Sequence, residues 1–142
     1  MIFNHEDIKT LHLEKDYIDT AIVPVIEVDY TNNYLKIADE LEMLQVVLMN
    51  LEAQFKGRLL LLPTIQQLKG QTPVHEVIET QLRSFGFKTI LFVGPNHTIS
   101  ENIHFQKINI MPLSSMDDSM KQEFVQENVK LLMKSIIFEW NR

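Results

Sequence analysis

The sequence predicts an α/β fold, in which helices cover both faces of a small, mostly parallel, four-stranded sheet to give three layers. Apolar strand-like runs alternate along the chain with helical patterns, which is typical of parallel sheets covered on both faces. The composition is that of a globular protein, with 45% hydrophobic and 23% charged residues. The length of 142 residues is near the commonest domain size, and no repeat or linker divides it. We therefore expect one α/β domain over residues 1–142.

The first half of the chain predicts two helices and two strands. Asn4 precedes acidic residues, which is typical of a helix N-cap followed by a negatively charged first turn. A β-branched run then indicates a strand, and apolar residues at spacings of four and three indicate a long amphipathic helix. The predicted elements are a helix from Asn4 to about Lys15 or Tyr17, a strand at residues 21–28, a helix marked by the stripe 37–55 and a strand at 59–62.

The second half predicts two more helices and two more strands. Thr72 and Pro73 suit the N-cap and the first position of a helix, and Gly86 suits its end. The segment 94–102 is shorter than the roughly twelve residues of a usual parallel crossover, so the fourth strand is left open as parallel or antiparallel. The predicted elements are this helix, strands at residues 89–93 and 103–111, and a last helix from Ser114 or Ser115 to about Trp140.

A proline follows each of the strand-like runs, at Pro24, Pro63, Pro95 and Pro112. Proline lacks the N–H group that a sheet ladder needs, so these positions predict strand ends. Open α/β sheets bind ligands outside the carboxyl ends of their strands. The ligand-binding candidates are therefore the polar residues after the prolines: Glu27, Asp29, Thr64, Gln66, Asn96 and His97, with Gln67, Thr98, Ser114 and Ser115 beside them. The two serines leave this group if the fourth strand is antiparallel.

Two of these positions have chemistry of their own. In a loop beside Asn96, the His97 imidazole can act as an acid, a base or a ligand, or it is an exposed loop histidine without a role. Glu27 and Asp29 would point to the same face of a strand and could hold a magnesium or calcium ion with water. If the first strand stops at Pro24, they are solvated carboxylates instead.

Several functional classes are excluded by what the sequence lacks. It has no cysteine, which removes disulfides, thiolate metal sites and cysteine nucleophiles. Its four glycines form neither GxGxxG nor GxxxxGK[ST], so dinucleotide and P-loop nucleotide binding are not expected in their usual forms. GxSxG and HExxH are absent as well. We therefore predict no metal site and no cofactor.

Charge and hydropathy indicate a protein of the cytoplasm. Thirteen basic residues against nineteen acidic ones leave a net charge of −6, which repels nucleic-acid backbones and anionic membranes. The amino terminus lacks the basic and apolar regions of a signal peptide, and no apolar run approaches the ~20 residues of a membrane-spanning helix. We expect neither nucleic acid nor membrane as a partner.

The last predicted helix is apolar on more than one face near its end. Residues 131–140 include seven large apolar side chains, and one sheet takes only about half of such a set. Either the amino-terminal helix packs against the surplus, or a second chain covers it. The second alternative predicts a homodimer or a protein partner.

Two segments resemble the YpiF-like family of small bacterial proteins. They read YIDTAIVP at residues 17–24 and LEAQFKGR at residues 51–58, and the second continues into the strand and proline at 59–63. The similarity runs over most of the chain. It implies a cytoplasmic protein of low-GC Gram-positive bacteria, and it carries no assigned activity and no catalytic residue.

Two functions follow from these observations. The first is a non-catalytic binding or interaction domain for a protein partner or for a second copy of the chain. The second is a small enzyme or small-ligand-binding protein that uses the carboxyl edge around His97 and Glu27 or Asp29. A defined pocket that joins Glu27, Thr64 and His97 would favour the second function, and a flat apolar patch at residues 131–140 would favour the first.

Overall fold

Five strands, all parallel, form the sheet in the computed structural model, which describes residues 1–96 and 102–142. The strand order is β2-β1-β4-β5, and β3 continues along the edge of β1 that β2 occupies. In chain order the elements are α1 (His5–Leu13), β1 (Thr20–Val28), α2 (Tyr34–Gln54), β2 (Leu59–Leu61), β3 (Ile65–Leu68), α3 (His75–Phe85), β4 (Thr89–Gly94), β5 (Phe105–Lys107), a short 3-10 turn (Leu113–Ser115) and α4 (Asp118–Trp140). The predicted α/β class and mostly parallel sheet are confirmed.

The gap between β2 and β3 lies opposite Pro24. The Ile22 carbonyl still accepts a hydrogen bond from Leu62 N–H at 2.9 Å, and Pro24 presents the same edge two residues later without an N–H to donate. Pairing resumes at Val25 and Ile65 with the register shifted by one residue. β1 runs on to Val28, which confirms the predicted strand at residues 21–28. The alternative that Pro24 ends this strand was wrong, because only the partner strand is interrupted.

Two hydrophobic cores cover the two faces of the sheet. Side chains alternate between the faces along β1, so Ala21 and Val23 point to one core and Ile22 to the other. The first core holds α1 and α3, and the second holds α2 and α4. The second is the larger, and its buried members include Met43, Leu44, Val47, Leu48, Leu51, Val125, Val129, Leu132 and Ile136.

The end of α4 packs against the end of α2 and the start of β1. The Trp140 ring meets Phe55 edge-on at 5.1 Å between ring centroids, and the Arg58 guanidinium lies 3.5 Å from the Trp140 centroid. The indole N–H donates to the Thr20 hydroxyl at 2.7 Å. The amino-terminal helix packs on the opposite face through Leu11, so the expectation that it covers the end of α4 was wrong.

The chain after β4 departs from the predicted boundaries. β5 pairs with β4 in parallel, which settles its direction, and it covers three residues instead of the predicted 103–111. The buried Asn128 side chain takes over the pairing, because it bonds both the N–H and the carbonyl of Asn109 at 2.9 Å. Pro112 therefore follows no strand.

Two helices begin later than predicted. Ser114 and Ser115 lie in the 3-10 turn, and α4 begins after Asp117, whose side chain accepts the Met120 N–H at 2.8 Å. α3 begins at His75 instead of at Thr72 and Pro73. At the first helix the prediction is confirmed, since Asn4 caps α1 by accepting the Asp7 N–H at 2.8 Å.

In the described parts of the chain no helix has the length and apolar character that crossing a membrane requires.

Gly94, at the end of β4, permits the close approach of β4 to β1. A Cβ atom at this position would overlap the carbonyl oxygen of Val25 and lie 3.3 Å from its carbonyl carbon. We expect Gly94→Ala to lower the free energy of unfolding by about 1–3 kcal/mol, because backbone of the central strand must move. Urea denaturation measures this change.

Gly57→Ala is the matched control for this substitution. Its φ of +87° strains an alanine, but the added methyl group meets open space, so we expect a smaller loss of about 1 kcal/mol. Equal losses at the two glycines would show that the approach of β4 to β1 is not constrained at Gly94.

Candidate functional site

Two clefts open at the carboxyl edge of the sheet. The larger cleft has a volume of about 320 Å³ and lies on the α3 side, and the smaller has a volume of about 110 Å³ and lies on the α2 side. Glu27, near the carboxyl end of β1, and Asn96, after β4, line both clefts. From β1 the chain passes to β2, which lies at one edge of β1, and it later returns to β4, which lies at the other edge. The clefts therefore lie at the position where the strand order reverses. This is the usual ligand position in open α/β sheets.

The structure brings some of the predicted residues together and separates others. Glu27 and Asn96 line both clefts, and Asp29 lines the smaller one. Thr64 and Gln66 line neither cleft. His97 and its neighbour Thr98 lie outside the described residues. Whether any of these side chains binds a ligand stays a prediction.

Gln67 occupies the place that the sequence analysis assigned to Gln66. Leu60 and Leu62 face the core of α1 and α3, and without a shift Gln66 would face the same way. The extra residue opposite Pro24 reverses this alternation, so Gln67 pairs with Glu27 and points with it into the larger cleft. Gln66 instead accepts a hydrogen bond from the Tyr30 hydroxyl at 2.7 Å.

The Gln67 amide is oriented by two backbone carbonyls. Its Nε2 donates to the carbonyl oxygens of Leu68 at 3.1 Å and Gln71 at 2.8 Å. Because both donor positions of the amide are directed at acceptors, its Oε1 remains as the acceptor beside the Glu27 carboxylate. The wall of the cleft made by β1 and β3 is therefore rich in oxygen acceptors.

His75 is the buried polar side chain of the larger cleft. It is the first residue of α3, it is 4% exposed, and its ring meets Phe92 edge-on at 5.2 Å between centroids. Neither ring nitrogen has a hydrogen-bond partner among the described residues. Burial lowers the pKa of the imidazole below its ordinary value, so His75 is neutral at neutral pH.

The amino terminus of α3 opens beside His75. The preceding residue is Val74, whose side chain provides no capping hydrogen bond. A helix begins with N–H groups that lack intrahelical partners, and a valine cannot accept from them. In the cleft, the His75 imidazole is the buried side chain whose hydrogen-bonding atoms have no partner among the described residues.

The smaller cleft is lined by charged residues of both signs. Burial raises the pKa of Glu40, the ammonium of Lys36 at 4.0 Å opposes the rise, and Glu27 adds to it. Hydrogen bonds from Thr31 lower the pKa of Asp29, whose carboxylate accepts the Thr31 N–H at 3.0 Å. Within residues 1–96 and 102–142, no three histidine or carboxylate side chains are grouped to hold a metal ion.

His75 was not among the residues predicted from the sequence, because those were chosen as the polar residues that follow the strand-like runs and their prolines. The sequence nevertheless contains a signal that points to His75. In alternating strands and helices, each helix that follows a strand begins at the carboxyl edge of the sheet. A histidine in the first turn of the helix after the second predicted strand therefore belongs at the same edge as Glu27 and Asn96.

Comparison with known proteins places the chain in a family. Residues 9–140 match the family described as "Protein of unknown function (DUF2487)". The chain belongs to this family. It is also similar to the "Uncharacterized protein YpiF" of Bacillus subtilis (strain 168). The identity is 26% over an alignment 146 positions long, which covers 95% of each chain. The resemblance to YpiF-like proteins is thereby confirmed. No solved structure matches the chain.

His75→Phe should stabilise the free protein. Phenylalanine keeps the ring against Phe92 and removes two nitrogens that lack partners, so we expect a gain of about 1–2 kcal/mol at pH 7. The unfolded chain binds a proton at His75 near pH 6.5, and the folded chain does so only at lower pH. The wild type therefore loses stability as the pH falls below about 6.5, and the advantage of the variant grows.

Urea denaturation of both proteins between pH 5 and 8 measures this effect. His75→Asn is the control, because it keeps an unpartnered polar group and loses the ring contact, and it should be less stable than the wild type. A His75→Phe protein that is less stable than the wild type at every pH would show that the imidazole nitrogens are satisfied in the folded state.

Proposed function

We propose that this protein is a binding domain that holds a small organic molecule in the larger cleft. The observation that supports the proposal is His75, a buried imidazole beside the cleft with neither nitrogen paired among the described residues. Leaving such a group unpaired costs about 1–3 kcal/mol. Both nitrogens are shielded in the free protein, so a bound molecule would pair with one of them after a shift of the lining, and this pairing would remove the cost.

The dimensions and lining of the cleft support the same function. A volume of about 320 Å³ is at the lower end of ligand sites, and it would hold about ten water molecules. Apolar side chains form part of the lining, and a few polar groups converge on them, as in most small-molecule sites. The apolar lining residues are Val25, Leu68, Pro73 and Phe105.

Binding accounts for the described lining better than catalysis does. A catalytic histidine is usually oriented by a hydrogen bond to its second ring nitrogen, and His75 has no such partner among the described residues. The described lining also contains no hydroxyl or thiol nucleophile. Its titratable side chains are Glu27 and His75.

Self-association is a second candidate function, and the carboxyl half of α4 favours it. Ile137 is 44% exposed and Phe138 is 67% exposed. Phe138 borders a surface groove that also includes residues of the edge strand β5. Lys134 and Glu139 line the same groove, and Glu139 is already paired with Arg142 and His104 of its own chain, so the apolar side chains are what favours this candidate. A second copy of the chain is the partner that this surface fits.

Binding in the larger cleft is tested with a mixture of fragment-sized molecules and ¹⁵N-labelled protein. We expect amide shifts at the cleft, at Gly70, Gln71, His75 and Asn96. His75→Phe should weaken the best binder about tenfold, which equals about 1.4 kcal/mol. His12→Phe, on α1 and outside the cleft, should leave its affinity unchanged. Shifts elsewhere, or equal affinity for the wild type and His75→Phe, would contradict the proposal.

Self-association is tested by light scattering on the eluting protein. We expect the mass of a dimer for the wild type and of a monomer for the Ile137→Glu, Phe138→Glu variant, because two buried charges oppose association. Met120→Glu introduces a charge at the other end of α4, where Met120 is exposed, and should leave the dimer intact. A monomeric wild type would remove this candidate.

A further inference from the structure

Three residues with side-chain oxygen acceptors line the larger cleft where β1, β3 and the segment after β4 meet. The Glu27 carboxylate and Gln67 Oε1 come from paired positions of β1 and β3. Adjacent strands are about 4.8 Å apart, so the two side chains start from neighbouring backbone positions on the same face. Asn96 adds an amide oxygen after β4. A protonated primary amine has three N–H donors, which matches these three groups in number.

The side-chain charge of the larger cleft disfavours anionic ligands. Glu27 is the charged side chain of its described lining, because burial keeps His75 neutral. The described lining has no lysine or arginine, and Lys36 and Lys69 line the smaller cleft instead. The protein as a whole carries a net charge of −6. A phosphate or carboxylate ligand would meet a negative group here without a side-chain cation to balance it.

The rest of the cleft suits a hydrocarbon or aromatic group. Val25 and Leu68 come from β1 and β3, directly beside the acceptors, and Phe105 comes from β5. Phe105 is the single aromatic side chain of the described lining, so the aromatic cage that binds quaternary ammonium groups is absent from it. A cationic ligand of this cleft therefore needs N–H donors as well as its positive charge.

We infer that the molecule held in the larger cleft is a small organic primary amine. Its ammonium group donates to Glu27, Gln67 and Asn96, and its apolar part lies against Val25, Leu68 and Phe105. A second polar group of the molecule pairs with His75, as the proposed function requires. This inference deepens the proposed function and rests on it, since it names the chemical class of the ligand for the same cleft.

Titration calorimetry with four related probes tests the inference. Phenethylamine is the cation with N–H donors, phenethyl alcohol is its neutral counterpart, 3-phenylpropionate is the anion, and N,N,N-trimethylphenethylammonium is a cation without donors. We expect phenethylamine to bind at least tenfold more tightly than each of the other three. Equal binding of the alcohol, or tighter binding of the anion or the quaternary cation, would overturn the inference.

Two variants that each remove one negative charge locate the ammonium group. Glu27→Gln should weaken phenethylamine binding at least tenfold and leave the alcohol unchanged. Asp29→Asn removes a charge two residues away, from a carboxylate that lines the smaller cleft and is bonded to Thr31, and should change the affinity less than twofold. Equal losses in both variants would assign the effect to net charge and overturn the inference.

The results separate this inference from the proposed function. If the alcohol or the anion binds best and shifts the amides of Gly70, Gln71, His75 and Asn96, the cleft is a binding site and the amine assignment is wrong. If neither these four probes nor the fragment mixture binds in the cleft, the proposed function fails, and the inference fails with it.

Discussion

The missing N–H group of Pro24 shapes the edge of the sheet on which the candidate site depends. β1 is the central strand, paired with β2 and β3 on one edge and with β4 on the other. A proline there removes one ladder hydrogen bond, and the partner strand responds with a gap and one extra residue. That residue reverses which side chains of β3 face α3. The pairing of Glu27 with Gln67 in the larger cleft follows from it.

His75 shows that the free protein is not optimised for stability at this edge. An imidazole held against Phe92 without hydrogen-bond partners is a cost that an apolar ring would avoid. Such groups are uncommon in folded proteins, and a bound partner is one physical reason for retaining them. The start of α3 beside it has no side-chain cap from Val74.

The positions of the prolines predicted the correct edge of the sheet, although not every proline ends a strand. Pro95 follows β4 directly and places Asn96 at the carboxyl edge, as expected. Pro24 lies inside β1, and Glu27 reaches that edge because the strand continues to Val28. Pro112 follows a segment that the Asn128 side chain holds in place of a sheet ladder. The local rule for proline is sound, but strand ends also depend on which partner strand is present.

The sequence by itself determined the α/β class, the approximate helices and strands, and the edge where Glu27 and Asn96 lie. These features follow from local periodicity and from the parallel arrangement that alternating strands and helices require. Only the tertiary structure decided the register of β3, the packing of Trp140 on Phe55 and Arg58, and the burial of His75 against Phe92. Each of these joins residues far apart in the chain, and a shift of one residue in a strand reverses its two faces, so no local pattern can specify them.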